Sequence, residues 1–216
     1  MAISVLIVDD HEILRAGLRA LLESQRVSVV GEADDGRSAI RLAKQLNPEL
    51  VIMDIGMPEM NGVDATRRIL AAAPRTKVLA LSMHADRRFV TQMLDAGASG
   101  YLLKDCAVEE LSFAIRTLSD GRIYLSPGIA GVVVENLVRR PIPLSPAPVD
   151  RVLSSREREV LQLIAEGGGT AEIADKLHLS VKTVESHRKK IMDKLGLHSV
   201  AQLTKYAIRE GLTDIE

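Results

Sequence analysis

The chain has 216 residues, a length that suits one large domain or two small ones. Its apolar fraction of 46% and charged fraction of 26% are ordinary for a globular protein with a hydrophobic core. A formal net charge of −1 excludes a strongly basic DNA-coating protein, and a single cysteine, Cys106, excludes an internal disulfide and a Cys-x-x-Cys zinc site. No apolar run approaches the ~18 residues of a membrane span, and the first residues lack the basic segment of a secretory signal, so we expect a cytoplasmic protein.

Two hydrophobic patterns alternate from residue 3 to about residue 120. Short runs rich in β-branched and aliphatic residues predict strands over 5–8, 27–33, 50–54, 77–83 and 100–104. The segments between them have helical spacing; in the first, one apolar face is predicted for Ile13, Leu14, Leu18, Leu21 and Leu22. Five strand–helix repeats predict a doubly wound α/β domain with a five-stranded parallel sheet, which binds ligands at the carboxyl ends of its strands.

The segment 125–150 interrupts this alternation and holds five of the eight prolines, at positions 127, 141, 143, 146 and 148. Such spacing favours extended stretches and a semi-rigid tether, while the apolar piece 128–138 is compatible with a helix that packs on one domain. We therefore predict a first domain over 1–124, a linker with a short helix over 125–150, and a second domain over 151–216.

The second domain contains helical patterns only. Ser154 and Glu157 form a predicted capping box, Thr170 is predicted to cap a short helix, and Ser180 to cap a longer helix that runs to Leu195. A fourth helix is predicted from Val200 to Arg209. Short helices with a tight junction at 178–179 are typical of a helix-turn-helix.

Acidic, hydroxyl and basic side chains stand at the predicted strand ends of the first domain. Asp9 and Asp10 end the first strand, Asp54 the third and Lys104 the fifth, and Ser82 stands at the end of the fourth. The carboxyl ends of parallel strands share one edge of a sheet, so these residues should converge in space. Three crowded carboxylates favour a bound Mg²⁺, and such a site suits a carboxylate that attacks a phosphoryl group.

Each of these residues also has a purely structural interpretation. Asp9 or Asp10 could cap the first helix, Asp54 could cap a loop, and Lys104 could be a solvated strand end. Five suitable residue types at the strand ends together favour the functional interpretation.

The first domain closely resembles the receiver domain of two-component response regulators over residues 3–122. The resemblance rests on VLIVDDHE (5–12), VIMDIGMPEMNG (51–62), LSMH (81–84) and GYLLKD (100–105). It implies that Asp54 accepts a phosphoryl group from a histidine kinase. It also implies that Asp9 or Asp10, the Asp54 carboxylate and the Gly56 carbonyl hold Mg²⁺.

The same resemblance assigns the remaining residues of the site. Lys104 would pair with the phosphate, and Ser82 would donate a hydrogen bond to one of its oxygens. Tyr101 matches the aromatic residue that turns inward when Ser82 moves, although a tyrosine in the core near a sheet edge is the structural alternative. Phosphorylation adds roughly −1.5 to −2 charges and three acceptor oxygens, so the new bonds would bias the fourth strand, the next helix and the fifth strand between two arrangements.

The predicted helix after Ser180 carries a local excess of positive charge. Five bases and two acids lie between 182 and 194, a balance of +3. At helical spacing Val184, Ile191 and Leu195 share one face, and Lys182, Ser186 and Lys189 project from the opposite one. This outer face could enter a DNA major groove, or it could be a solvated charged surface.

Residues 153–196 resemble the LuxR-type helix-turn-helix, through LSSREREVLQLIAEG (153–167) and TAEIADKLHLSVKTVESHRKKIMDKLG (170–196). With the receiver before it, the chain resembles a NarL/FixJ-family response regulator. The family pattern implies that bases are contacted by Glu185, Ser186 and Lys189. The pattern also implies that five residues lie nearer to the DNA phosphates: Lys182, Thr183, His187, Arg188 and Lys190. His187 is equally compatible with a half-buried packing role.

The fourth helix matches the family's dimerisation surface, which here comprises Val200, Leu203, Thr204 and Ala207. A symmetric homodimer would read two half-sites about one helical turn apart on double-stranded DNA.

One segment departs from the family pattern: residues 167–171 read Gly-Gly-Gly-Thr-Ala. Polar or basic residues usually follow the first glycine in the family, and Ala171 replaces a common lysine. We expect a looser loop, one phosphate contact fewer and weaker DNA binding than the family average.

The leading hypothesis is a transcription regulator, not an enzyme, whose DNA binding is controlled by phosphorylation and whose only turnover is slow loss of its own phosphoryl group. A metal-dependent phosphotransferase or phosphatase is a second possibility, but Gly56 stands two residues after Asp54, where such enzymes carry a general acid. A third is a constitutive DNA-binding protein whose receiver serves only for protein contacts.

Overall fold

The protein is described here by a computed structural model that covers residues 3–83, 85–138 and 152–213. It divides into two compact units, residues 1–140 and 141–216. Neither unit, in the part that the structure describes, contains a helix long and apolar enough to cross a membrane.

A parallel sheet forms the centre of the first unit. Its strands are β1 (Ser4–Val8), β2 (Ser28–Ala33), β3 (Leu50–Asp54), β4 (Lys77–Ser82), β5 (Gly100–Leu103) and β6 (Tyr124–Leu125). Their order is β2-β1-β3-β4-β5-β6, and every neighbouring pair is parallel. The doubly wound α/β prediction is therefore confirmed, but the sheet has a sixth strand. Strand β6 has only two residues, too few to establish a hydrophobic period in the sequence.

Helices cover both faces of this sheet. They are α1 (Glu12–Ser24), α2 (Gly36–Leu46), α3 (Gly62–Ala72), α4 (Arg87–Asp95), α5 (Val108–Ser119) and α6 (Pro127–Val138). Helices α1 and α5 bury leucines and isoleucine on one face, and α2, α3 and α4 pack on the other. The side chains of Asp35, Asn61 and Asp86 accept backbone N–H bonds at the starts of α2, α3 and α4, which fixes where these helices begin.

The prediction for α1 was wrong at Ile13, whose side chain is 90% exposed. Ile13 precedes Leu18 by five residues, a rotation that places it about 140° away from Leu18 around the helix. Leu18 and Leu22 are buried, and Leu14 and Leu21 pack beside them. The apolar face of α1 therefore begins at Leu14.

Residues just beyond the fifth helix pack within the first unit. The Ser126 N–H donates to the Tyr101 carbonyl at 3.0 Å. Ile129 of α6 is fully buried in the hydrophobic core to which α4 also contributes. The segment predicted as a linker thus contains β-structure and a helix that contact the receiver-like unit, while residues 139–150 lie outside the described residues.

The described part of the second unit contains α7 (Ser155–Ala165), α8 (Thr170–Lys176), α9 (Val181–Leu195) and α10 (Val200–Arg209). The predicted capping box is confirmed: the Glu157 N–H donates to the Ser154 hydroxyl, and the Ser154 N–H donates to the Glu157 carboxylate. Ser180 caps α9 as predicted. Thr170 does not cap α8, because the helix begins one residue earlier than expected and Gly169 takes the capping position.

Candidate acidic site and nucleic-acid interface

Strand register brings the predicted acidic residues together at one edge of the sheet. Val8 pairs with Met53, so Asp9, the next residue along, lies beside Asp54 at the end of β3. Both carboxylates are buried: Asp9 is 1% and Asp54 4% exposed. Two negative charges in this setting need positive neighbours, since burial removes the water that would screen them.

Lys104 supplies that charge. Its Nζ lies 2.8 Å from Asp54 Oδ2 and 2.8 Å from Asp9 Oδ2, and its side chain is 7% exposed. Burial works against the lysine's charge, but the two carboxylates outweigh it, so the pKa of Lys104 is raised. Burial also raises the pKa of Asp54, and the Lys104 ammonium offsets part of that rise.

His11 joins the site and was missed by the sequence analysis. Its Nδ1 lies 3.0 Å from Asp10 Oδ1 and 3.3 Å from Asp9 Oδ1, and its backbone N–H donates to Asp9 Oδ1 at 2.8 Å. The signal was present, because His11 directly follows the two aspartates at the strand end. Helix geometry alone could not say towards which group its ring would turn.

The donor set fits a divalent cation. One ligand atom each from Asp9, Asp10, His11 and Asp54 lie within 4.8 Å of one another. Asp9 Oδ2 and Asp10 Oδ1 are both buried: Asp9 Oδ2 faces the Lys104 ammonium at 2.8 Å, whereas Asp10 Oδ1 accepts no hydrogen bond from any residue that the structure describes. Buried acceptors of this kind suit an ion, and carboxylate oxygens are what hard divalent cations prefer.

Glycines shape the loop after Asp54. The Gly56 N–H lies 3.4 Å from Asp54 Oδ1 and the residue is exposed. A Cβ on Gly62 would lie 2.0 Å from the Asp54 carbonyl oxygen, so no other residue fits there. The closing glycine of the 51–62 motif is therefore required by the close approach of α3 to the end of β3.

Ser82 and Tyr101 form a buried pair beside the acidic residues. Ser82 is 1% exposed and Tyr101 is fully buried. Burial raises the pKa of Tyr101 to about 12, and a hydrogen bond with the Ser82 hydroxyl opposes this rise. The ring of Tyr101 thus occupies the inward position, and its hydroxyl meets Ser82 at the end of β4.

In the second unit, α9 presents most of its predicted DNA-contacting residues to solvent. Its buried face consists of Val184 and Ile191, with Leu195 partly buried, as the periodicity predicted. The exposed residues are Lys182, Glu185, Ser186, Lys189 and Lys190; the half-buried ones are Thr183, His187 and Arg188.

One ion pair and one hydrogen bond hold α9 and the preceding turn on α7. Lys194 Nζ lies 2.6 Å from Glu157 Oε2, and Arg156 donates to the Leu177 carbonyl at 2.7 Å while pairing with Glu159. Burial works against the charge of Glu157, but the Lys194 ammonium and the N–H and hydroxyl of Ser154 outweigh it, so the pKa of Glu157 is lowered. These contacts attach α9 to α7 on the side of the helix away from its exposed outer face.

The predicted dimerisation surface needs a correction. Leu203 and Ala207 are fully buried in the core of the second unit, where α10 packs against α7. Their spacing marks the inner face of α10, so they cannot contact a second copy. Val200, 40% exposed, and Thr204, half-buried, stay as predicted candidates.

The three glycines at 167–169 have separate structural roles. Gly167 adopts a positive φ of 89° after the last turn of α7, where the Gly167 and Gly168 N–H groups bond to the carbonyls of Ile164 and Leu163. This is a Schellman motif, which ends the helix firmly. A Cβ on Gly168 would lie 2.9 Å from the Leu163 carbonyl oxygen, whereas Gly169 has open space around it.

Family comparisons cover both units. Residues 5–116 match the response regulator receiver domain, and residues 151–207 match the luxR family of bacterial regulatory proteins. Among full-length relatives, the oxygen regulatory protein NreC of Staphylococcus carnosus is 40% identical over 214 residues, which cover 97% of this chain and 99% of that protein. The response regulator GacA of Pseudomonas protegens is 39% identical over 213 residues and covers 98% of both chains.

Solved structures of similar proteins include DNA complexes. RcsB of Salmonella enterica serovar Typhimurium, bound to the promoter P1flhDC with the phosphomimetic BeF3⁻, has a TM-score of 0.60 and 30% identity over 99% of this chain and 100% of that chain. A structure of two RcsB dimers on two parallel DNAs has a TM-score of 0.60 and 30% identity over 97% and 99%.

Proposed function

Because the chain belongs to the NarL/FixJ family of response regulators, which join a receiver domain to a LuxR-type DNA-binding domain, we propose that Asp54 is its phosphoacceptor. The observation that carries the assignment is the ion pair of 2.8 Å between Lys104 Nζ and Asp54 Oδ2, deep in the acidic site. A histidine kinase is the phosphoryl donor in such a two-component system, and phosphorylation controls sequence-specific DNA binding and transcription.

In the transfer, a carboxylate oxygen of Asp54 attacks the phosphorus of the kinase phosphohistidine. The new O–P bond makes an acyl phosphate, the P–N bond breaks, and its electron pair returns to the imidazole. Lys104 holds the Asp54 carboxylate in place beforehand and pairs with a phosphoryl oxygen afterwards. Slow hydrolysis of this acyl phosphate is the only turnover we assign to the protein.

Asp9, Asp10, the Asp54 carboxylate and the Gly56 carbonyl would hold Mg²⁺ at this site. The support is chemical: ligand atoms of Asp9, Asp10 and Asp54 lie within 4.8 Å of one another, and the buried Asp10 Oδ1 accepts no hydrogen bond from any described residue. Bound Mg²⁺ supplies charge neutralisation and orientation for the phosphoryl oxygens. The protein's own contribution is the fixed strand-end geometry that holds these oxygens.

Ser82 and Tyr101 are the proposed switch residues. A phosphoryl oxygen on Asp54 would compete with Tyr101 for the Ser82 hydroxyl, which is now hydrogen-bonded to the tyrosine. Tyr101 pairs with Ala80 of β4 and with Leu125 of β6. A change at Ser82 would therefore shift the balance between two arrangements of β4, β5 and β6 at this edge of the sheet. The coupling to DNA affinity should be about 1–3 kcal/mol, typical of allosteric links.

DNA binding is assigned to the exposed face of α9. We propose that Glu185, Ser186 and Lys189 contact base edges and that Lys182, Thr183, His187, Arg188 and Lys190 lie nearer to phosphates. The exposed lysines of this face support the assignment, and the RcsB–DNA complexes supply the analogy. We further propose a cytoplasmic homodimer on DNA, by analogy with the RcsB dimers.

The assignment of Asp54 is tested by phosphorylation with acetyl phosphate and Mg²⁺. The wild-type protein should take up one phosphoryl group, measured by mass spectrometry or phosphate-affinity gels, and Asp54→Asn should take up none. Asp120→Asn is a matched control, because Asp120 is exposed and paired only with Arg122 in the described surface contacts. Phosphorylation of Asp54→Asn at the wild-type rate would place the acceptor elsewhere.

A further inference from the structure

The imidazole of His11 lies where a nitrogen ligand of the cation would be expected. His11 caps the start of α1 with its backbone, but its side chain makes no capping bond. Instead its Nδ1 lies 3.0 Å from Asp10 Oδ1 and 3.3 Å from Asp9 Oδ1. The ring is therefore free of helix capping and faces the carboxylates.

These distances match those between two ligands of one ion. At metal–ligand distances of about 2.1 Å, adjacent ligand atoms of an octahedral ion lie about 3.0 Å apart. The contact between His11 and Asp10 lacks hydrogen-bond geometry, since Asp10 Oδ1 is buried and accepts no hydrogen bond from any described residue. The buried acceptor and the nearby nitrogen together indicate that a cation completes the contact.

We propose that His11 is a nitrogen ligand of the acidic site, which makes this site selective for divalent transition-metal ions such as Ni²⁺ and Co²⁺ over Mg²⁺. The inference rests on the proposed function, because it takes the acidic site to be a cation site. Imidazole suits Ni²⁺ and Co²⁺, whereas Mg²⁺ prefers oxygen. Mg²⁺ would thus use the carboxylates and the Gly56 carbonyl, and Ni²⁺ would use His11 as well.

Calorimetric titration of the full chain with NiCl2 and with MgCl2 tests the selectivity. Asparagine is a good helix N-cap, so His11→Asn should fold normally. In this variant we expect Ni²⁺ affinity to fall at least about tenfold, because the loss of even an outer-shell partner costs 10–100-fold. Mg²⁺ affinity should stay close to the wild-type value. Equal losses for both ions, or no loss for Ni²⁺, would overturn the proposal.

Two control variants test whether His198 or His84 supplies the nitrogen ligand instead. His198→Asn removes an exposed imidazole of the second unit, and His84→Asn removes the imidazole two residues after Ser82. Both should bind Ni²⁺ at the acidic site with wild-type affinity. If either control, rather than His11→Asn, abolished the tight Ni²⁺ site, the nitrogen donor would be misassigned.

A spectroscopic readout separates ligation from a general electrostatic effect. With Mn²⁺ as the probe, electron spin-echo modulation should show a ¹⁴N coupling in the wild-type protein that is lost in His11→Asn. Persistence of the coupling in His11→Asn would contradict ligation by this ring. If Mg²⁺ binds and Asp54 is phosphorylated but the ratio of Ni²⁺ to Mg²⁺ affinity does not change, only this inference fails; if the wild-type protein binds no divalent ion, the proposed function fails with it.

Discussion

At the scale of single residues, Lys104 balances the charge of the acidic site. Its ammonium contacts Asp9 and Asp54 at 2.8 Å each, with almost no access to water. A lysine in this position holds the folded domain together without a metal and also repels an incoming cation. Stability and metal affinity therefore change in opposite directions when it is replaced.

We expect Lys104→Met to destabilise the receiver domain by about 3–5 kcal/mol in EDTA, because two buried carboxylates lose their counter-charge. Mg²⁺ should recover part of this loss and bind the variant more tightly than wild type, since it binds the folded state only. Urea unfolding with and without Mg²⁺ measures both effects. Arg122→Met, which breaks an exposed pair with Asp120, should change stability by less than about 1 kcal/mol. Unfolding midpoints that do not differ between the two variants would contradict the role of Lys104.

At the scale of elements, the DNA-binding unit depends on how α9 is attached to α7. The attachment is an ion pair in which Lys194 Nζ lies 2.6 Å from Glu157 Oε2. The Glu157 side chain is 6% exposed, and it also completes the capping box of α7. One carboxylate thus fixes the start of one helix and the end of another.

The pH dependence of this contact follows from the lowered pKa of Glu157. Because the pKa of Glu157 is lower in the folded than in the unfolded protein, its ionised carboxylate stabilises the fold at pH values above the ordinary glutamate pKa of about 4.3. This stabilisation is lost as the pH falls through the folded-state pKa. Glu157→Gln keeps a cap acceptor but loses the charge, so we expect it to cost about 1 kcal/mol at pH 7 and much less once the pH has fallen below the lowered folded-state pKa of Glu157. Thermal unfolding of both proteins across this range checks the sign.

Glu172→Gln is the matched control for this prediction. Glu172 is 58% exposed and lies 3.8 Å from Lys176 on α8, so its loss should change stability by less than about 0.5 kcal/mol at any pH. A loss in Glu157→Gln that is independent of pH would mean that packing, rather than charge, holds the two helices together.

At the scale of the whole molecule, function requires that the acidic site and the outer face of α9 be thermodynamically linked. Beryllofluoride with Mg²⁺ should raise affinity for a DNA site selected from random sequence by about 5–150-fold, the range that corresponds to 1–3 kcal/mol of coupling. Gel-shift titration measures it, with Asp54→Asn as the protein that should not respond. Equal affinity in both states would favour the constitutive DNA-binding alternative.

Lys189→Ala separates DNA contact from this coupling. We expect it to weaken DNA binding by about 1–3 kcal/mol with and without beryllofluoride, leaving the ratio between the two states unchanged. A change in that ratio would show that Lys189 takes part in the switch rather than only in DNA contact.

The sequence by itself determined the alternation of strands and helices, the convergence of Asp9, Asp54 and Lys104, and the buried face of α9. These features follow from local period and from the rule that parallel strands end at one edge, so no tertiary detail was needed. Tertiary structure decided that Leu203 and Ala207 face the core, that Ile13 faces water, and that His11 turns towards the carboxylates. Periodicity identifies an apolar face but not the surface that covers it, and the direction of a side chain depends on neighbours that lie far away along the chain.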